Sequence, residues 1–215
     1  MKYLNYGFFY PPRPENAVRP EDLNSFDNNT MIAELKINGS NTSLYTNGDQ
    51  CRIMGRHKQI LSNFNISKEE IIENLYKPLN IGDNWLVING EYLNKSKYDE
   101  NNQVFNHKLM IFDILVFDSD YLVGSTFEER INLLDNMYGQ KNSDKEYLYG
   151  ISDNIYHVKP HYSDFKNLYD RYTPIDLVEG LVLKRKNARL ELSNTERNNW
   201  RAQIKCRKPT RNYKF

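Results

Sequence analysis

Lys36, in "AELKINGSNTSLY" at 33–45, is a candidate for nucleophilic chemistry. It ends a strand-like run and is followed closely by Asn38 and Gly39. A protonated lysine is no nucleophile; burial and neighbouring cations favour the neutral amine, which is one. A permissive Asn-Gly turn beside it would let a bulky group, such as a nucleotide phosphate, approach closely. Alone, the same pattern also describes an edge-strand lysine ahead of an ordinary hairpin.

Further candidates follow in order. "VINGEYLN" at 87–94 carries Glu91, and "LMIFDILVFD" at 109–118 is an apolar run holding Phe112 and Asp113. "VEGLVLKRK" at 178–186 sets Glu179 before a strand and Lys184 at its end. "NWRAQIKCRK" at 199–208 alternates Lys205 and Arg207 on one strand face. Singly, each reads equally well as a surface acid, a core phenylalanine or a solvated cation. Together they make five strand-borne segments carrying two carboxylates, a ring and several cations around one lysine.

The elements that must position them are mostly strands. Runs rich in Ile, Val, Leu, Tyr and Phe, bounded by Asn, Gly and Asp, predict strands at 31–36, 42–46, 50–54, 85–93, 108–117, 155–159, 180–184 and 201–206. "YTNGDQ" at 45–50 predicts a hairpin with a type I′ turn. Ser67 and Glu70 predict a capped helix over 67–79, and Thr126 and Glu129 another over 126–138. A third is expected at about 163–172. Strands outnumber helices without regular βαβ alternation, so the expected class is α+β, antiparallel sheets flanked by helices. One domain over 1–215 is expected, with an N-terminal extension of about thirty residues.

With these segments in view, the chain resembles the covalent nucleotidyltransferase superfamily of ATP-dependent DNA and RNA ligases and capping enzymes, from about Met31 to Lys208. "LKINGS" is similar to motif I, "INGEY" to motif III, "IFDILVFD" to motif IIIa, "EGLVLK" to motif IV and "QIKCRK" to motif V. The resemblance implies an ATP-grasp-like ligase adenylation fold in which Lys36 takes up AMP from ATP. It implies that Lys205 neutralises the α-phosphate and, as a second cation, favours the free amine of Lys36. Arg207 stands where a second motif V lysine is common, and Lys184 closes motif IV. Glu179 is implied as the ligand of Mg²⁺ (or Mn²⁺), and Glu91 as holding the ribose or a metal-bound water. Phe112 would stack on the base and Glu34 would read the adenine amino group. Arg56 would contact the ribose or phosphate, with Arg52 as the substitute. Asn38 replaces the usual Asp, keeping an acceptor but not the charge.

Within that superfamily the sequence leans to a ligase acting on RNA, because Asn41 rather than an arginine follows Gly39-Ser40 and "IKCRK" is similar to RNA ligase two. A compact DNA ligase sealing nicks is the alternative, supported by "IFDILVFDSDYLVGSTFEERINLL" and by Glu34. Only seven residues follow Lys208, so no OB-fold domain is expected in this chain. That argues against a GTP-dependent capping enzyme and leaves a monomer, or a partner that supplies the domain. A non-catalytic nucleic-acid-binding module is the reading of a different class, with Trp200, Tyr213 and Phe215 stacking on bases.

Composition frames these readings. The net charge is +1, but from Lys184 onward eleven lysines and arginines face two glutamates, a local +9 that leaves the rest at −8. Such a basic end suits a polyanion such as nucleic acid, and equally a solvated tail. No apolar run reaches membrane-span length and the start lacks secretory-signal features, so a soluble, cytoplasmic protein is expected. Brevity and asparagine richness suggest a phage or viral source. Two cysteines and four scattered histidines exclude a disulfide framework or a zinc cluster.

Overall fold

A computed structural model describes residues 1–139 and 145–209. Four strands form one sheet in the order β1-β13-β12-β2: β1 (Asn16–Ala17), β2 (Met31–Ile37), β12 (Val178–Arg185) and β13 (Gln203–Arg207). A seven-stranded sheet is built from β3 (Ser40–Thr46), β4 (Cys51–Gly55), β5 (Leu86–Tyr92), β8 (Leu109–Phe117), β10 (Leu148–Gly150) and β11 (Ile155–Val158). Its order is β10-β11-β8-β5-β3-β4, with β9 (Asp120–Tyr121) also on β8. A small hairpin joins β6 (Lys97–Tyr98) to β7 (Val104–Phe105). Most pairings are antiparallel; β1 with β13 and β11 with β8 are parallel.

β2 and β3 do not form a hairpin with each other. β2 pairs with β12 and β3 with β5, so the chain steps from one sheet to the other at Asn38 and Gly39. Gly39 serves packing here: a Cβ would lie 2.6 Å from the Tyr92 carbonyl on β5. The permissive turn is therefore also the seam between the two sheets, with Gly39 close against β5 while also lining a cavity. The β3–β4 loop also differs from the type I′ expectation, since of its two central residues only Gly48 takes a positive φ (+84°).

Helix α2 (Phe127–Tyr138) opens on a reciprocal capping box between Thr126 and Glu129, a device contributing about 1 kcal/mol. Its Ile131 and Leu134 are fully buried against the seven-stranded sheet, each stabilising by roughly 1.5–3 kcal/mol. Helix α1 (Lys68–Ile71) is shorter than the 67–79 pattern predicts. It continues as a π turn (Ile72–Tyr76) and a 3₁₀ turn (Lys77–Leu79) ending at left-handed Asn80. Pro78 has no N–H to extend an α ladder, which accounts for the tightened end. Ser67 caps Glu70 N–H, but the Glu70 carboxylate bonds Ser152 and Asn154 instead of returning to Ser67. Helix α3 (Phe165–Tyr172) covers the outer face of the four-stranded sheet.

The first thirty residues pack on the rest of the fold. Tyr3 and Phe9 are buried with Tyr45, Trp85 and Leu115. Tyr45 Oη accepts from Phe9 N–H at 3.0 Å and donates to Phe9 O at 3.2 Å. No helix among the described residues is long and apolar enough to cross a membrane.

Candidate active site

Alternation along three strands makes the site. Met31, Ala33, Leu35 and Ile37 join Leu181, Leu183 and Cys206 in the core under α3. Glu34 and Lys36, Val182 and Lys184, and Lys205 and Arg207 therefore face the other way, into a cavity of about 760 Å³, a size typical of small-molecule sites. Register aligns them: Gly180 lies between Lys36 and Arg207, and Val182 between Glu34 and Lys205. A bulge between Val178 and Gly180 reverses the parity of β12, so Val178 stays in the core while Glu179 joins the cavity face. Gly180 has φ +149°, and a Cβ there would stand 1.9 Å from the Cys206 carbonyl.

Every site residue expected from the sequence lines this cavity, except Asn38 and the substitute Arg52. Lys36 Nζ donates to Glu179 Oε2 at 2.6 Å, and Arg207 Nη2 reaches the same oxygen at 3.0 Å. Asn38 lies just behind. With its amide oriented to satisfy both neighbours, it donates to Glu179 Oε1 at 3.1 Å and accepts from Lys97 Nζ at 2.7 Å. Glu91 projects from β5, where burial foremost and the Glu179 carboxylate next push its pKa up to about 7, against the pull of Lys36. Lys205 is lowered by burial and by the cations Arg207, Arg13 and Lys36.

On the opposite side of the cavity, Lys184 is buried. Its ammonium pairs with Glu34 and lies over the rings of Phe112 (4.8 Å) and Phe127 (4.4 Å). The other Glu34 oxygen, Oε1, is buried in the cavity wall with no hydrogen-bond partner among the described residues. Asp113, next to Phe112 but on the opposite strand face, takes Arg130 of α2 in a buried two-pronged pair at 2.8 and 3.1 Å. That pair fixes β8, and Phe112 with it, against α2.

Of the two candidate arginines, Arg56 lines the cavity. Arg52 instead stacks on Tyr6, 4.3 Å from the ring centre. Sequence reasoning missed Arg13, His57 and Glu196. The Glu196 carboxylate accepts from Arg13 Nη1 at 3.1 Å and from His57 Nδ1 at 2.5 Å. Those two groups, His57 first, hold its pKa below the usual range. "YPPRPE" at 10–15 was the available signal, three prolines stiffening the segment around one arginine.

A family model for the ATP dependent DNA ligase domain matches residues 16–202. The chain belongs to this family. ATP-dependent DNA ligase domains are thus its kin in sequence, and the fold agrees with solved members. The mycobacterial DNA ligase D complexed with ATP and MES superposes with a TM-score of 0.61 at 13% identity, over 93% of this chain and 60% of that one. A structure described as a minimal-scaffold Lig E DNA ligase gives 0.54 at 14% identity, over 92% and 69%. An archaeal ATP-dependent RNA ligase gives 0.50 at 15% identity, over 91% and 47%. This ligase domain therefore spans about 60% of the length of the ligase D chain. No curated protein matches its sequence.

Proposed function

We propose that the cavity binds ATP and that the chain is a polynucleotide ligase working through a lysyl-AMP on Lys36. The observation that carries this is the convergence on one cavity of Lys36, a stacking ring (Phe112) and an orphaned buried acceptor, Glu34 Oε1. An adenine amino group supplies the N–H that this oxygen lacks, removing the cost of an unsatisfied buried acceptor. A guanine would present a carbonyl there. Lys205 and Arg207 flank Lys36 and would offset the charge that builds on the α-phosphate during attack. The amine nitrogen forms a P–N bond, the α–β P–O bond breaks, and pyrophosphate leaves. AMP then passes to a 5′-phosphate, and a 3′-hydroxyl displaces it to seal the strand.

Glu91 and Glu179 fit a hard divalent cation. Both offer only oxygens, and Glu91 is raised by burial and by Glu179, a conflict that a cation between them relieves. No larger His/Cys/Asp/Glu cluster exists among the described residues; the remaining positions would fall to water and phosphate oxygens, as Mg²⁺ prefers. When bound, Mg²⁺ or Mn²⁺ would add Lewis-acid charge at the phosphates. Asn38 and Arg207 keep Glu179 oriented.

Nicked duplex DNA is the substrate favoured here, on the strength of the DNA ligase family match. RNA is the second reading, carried by Asn41 in place of the arginine usual in DNA ligases. Intact-mass measurement after incubation with Mg²⁺ and ATP, or GTP, tests the chemistry. An AMP-sized gain with ATP alone, absent in Lys36→Ala, is expected. No gain from nucleotide-free protein would instead favour the binding module. Sealing assays on nicked DNA and nicked RNA then separate the strands.

A further inference from the structure

Two guanidinium groups and an imidazole gather around one carboxylate at the cavity wall. Arg13 and His57 both donate to Glu196, and Arg56 Nε donates to His57 Nε2 at 3.1 Å, which places the ring N–H on Nδ1, facing Glu196. All four side chains line the cavity that holds Lys36. Lys205 is within electrostatic reach of both Lys36 and Arg13, and Arg56 of Glu91. The cations therefore continue from the nucleophile toward this cluster.

A carboxylate held by a guanidinium and a ring N–H has the contacts a phosphate oxyanion would make. We infer that Arg13, Arg56 and His57 form a site for the β- and γ-phosphates of the nucleoside triphosphate, with Glu196 as its built-in occupant in the unliganded chain. The inference rests on the nucleotide reading of the cavity. Arg13 sits among Pro11, Pro12 and Pro14, so little backbone ordering accompanies its engagement. The loop bearing Glu196 is tied down at Asn198, whose Nδ2 donates to the Tyr10 and Glu191 carbonyls at 2.7 and 2.9 Å. Arg13 N–H donates to Asn198 O at 3.0 Å. Clearing the site thus needs only rotation of the Glu196 side chain, which is 36% exposed. After Lys36 displaces pyrophosphate, returning Glu196 would compete for the same donors and speed its release.

A polynucleotide backbone is the other source of phosphate. The shared cavity with Lys36 favours the triphosphate tail. Calorimetric titration of the full chain with inorganic pyrophosphate, AMP and a 5′-phosphorylated nicked duplex separates them. Arg13→Ala should weaken pyrophosphate binding about tenfold, the loss of one charged hydrogen bond. Glu196→Gln should tighten it several-fold, and AMP affinity should hold in both. Glu196→Gln is isosteric and decides the matter even if Arg13→Ala fails to fold. Unchanged or weaker pyrophosphate binding in Glu196→Gln overturns the inference, as do effects confined to the duplex. A wild-type chain that binds pyrophosphate but no AMP would instead sink the nucleotide reading and leave the anion site standing.

Discussion

Glu91 holds its proton more tightly in the folded chain than in the unfolded one, because burial and Glu179 lift its pKa from 4.5 to about 7. Between those values the native state binds more protons, so this residue's contribution to stability falls as pH rises through the window. Glu91→Gln removes the effect. Its melting temperature relative to wild type, measured without metal, should climb from pH 4.5 to 7; a flat difference contradicts the assignment. At this scale the residues on strands were legible, since motif order and two-residue alternation together point Lys36, Lys205 and Arg207 the same way. The choice between Arg52 and Arg56 was not: both have the same parity, and only the position of Tyr6 separates them. Glu196 was illegible for a related reason, being joined to Arg13 and His57 across 183 and 139 residues of chain.

Among the elements, β12 bears the tightest steric constraint. Gly180→Ala would force a side chain into the Cys206 carbonyl at a φ that favours glycine. The expected loss is about 3 kcal/mol in urea unfolding; a near-neutral result would mean that β12 and β13 can separate freely. The buried Arg130–Asp113 pair joins β8 to α2 with both side chains 3% exposed or less. Arg130→Met leaves a buried carboxylate without its cation and should cost about 3–5 kcal/mol by the same measurement. A loss under 1 kcal/mol would show that Asp113 finds another partner. Strand positions followed from apolar runs bounded by Asn and Gly. Helix α1 was overextended because side-chain periodicity runs on through Leu75 and Leu79, while the backbone leaves the α pattern after Ile71 for a π and then a 3₁₀ turn. The partition of β2 and β3 between two sheets was hidden as well, since a strand–turn–strand sequence looks the same whether or not its strands pair.

For the whole molecule, the basic end is distributed differently from the continuous strip that its sequence suggests. Lys184 lies buried on Glu34, Arg207 on Glu179, and the Lys208 ammonium on the carbonyls of Thr173 and Ile175. Arg185, Arg189, Arg197 and Arg201 are exposed. Tyr213 and Phe215, expected to stack on bases, lie outside the described residues, whereas Trp200 carries Arg201 at 4.9 Å from its ring centre. If the exposed arginines track phosphates, affinity for a nicked duplex should fall log-linearly with salt, each neutralised phosphate adding roughly 0.9 to the slope. Binding indifferent to salt would exclude them from the interface. The order β1-β13-β12-β2 also has a meaning in time. Lys36 leaves the ribosome well before the strand carrying Lys205 and Arg207, which must slot between β1 and β12. A growing chain therefore carries the proposed nucleophile long before the cations proposed to flank it. On the proposed chemistry, its reactivity is deferred until β13 has emerged and paired.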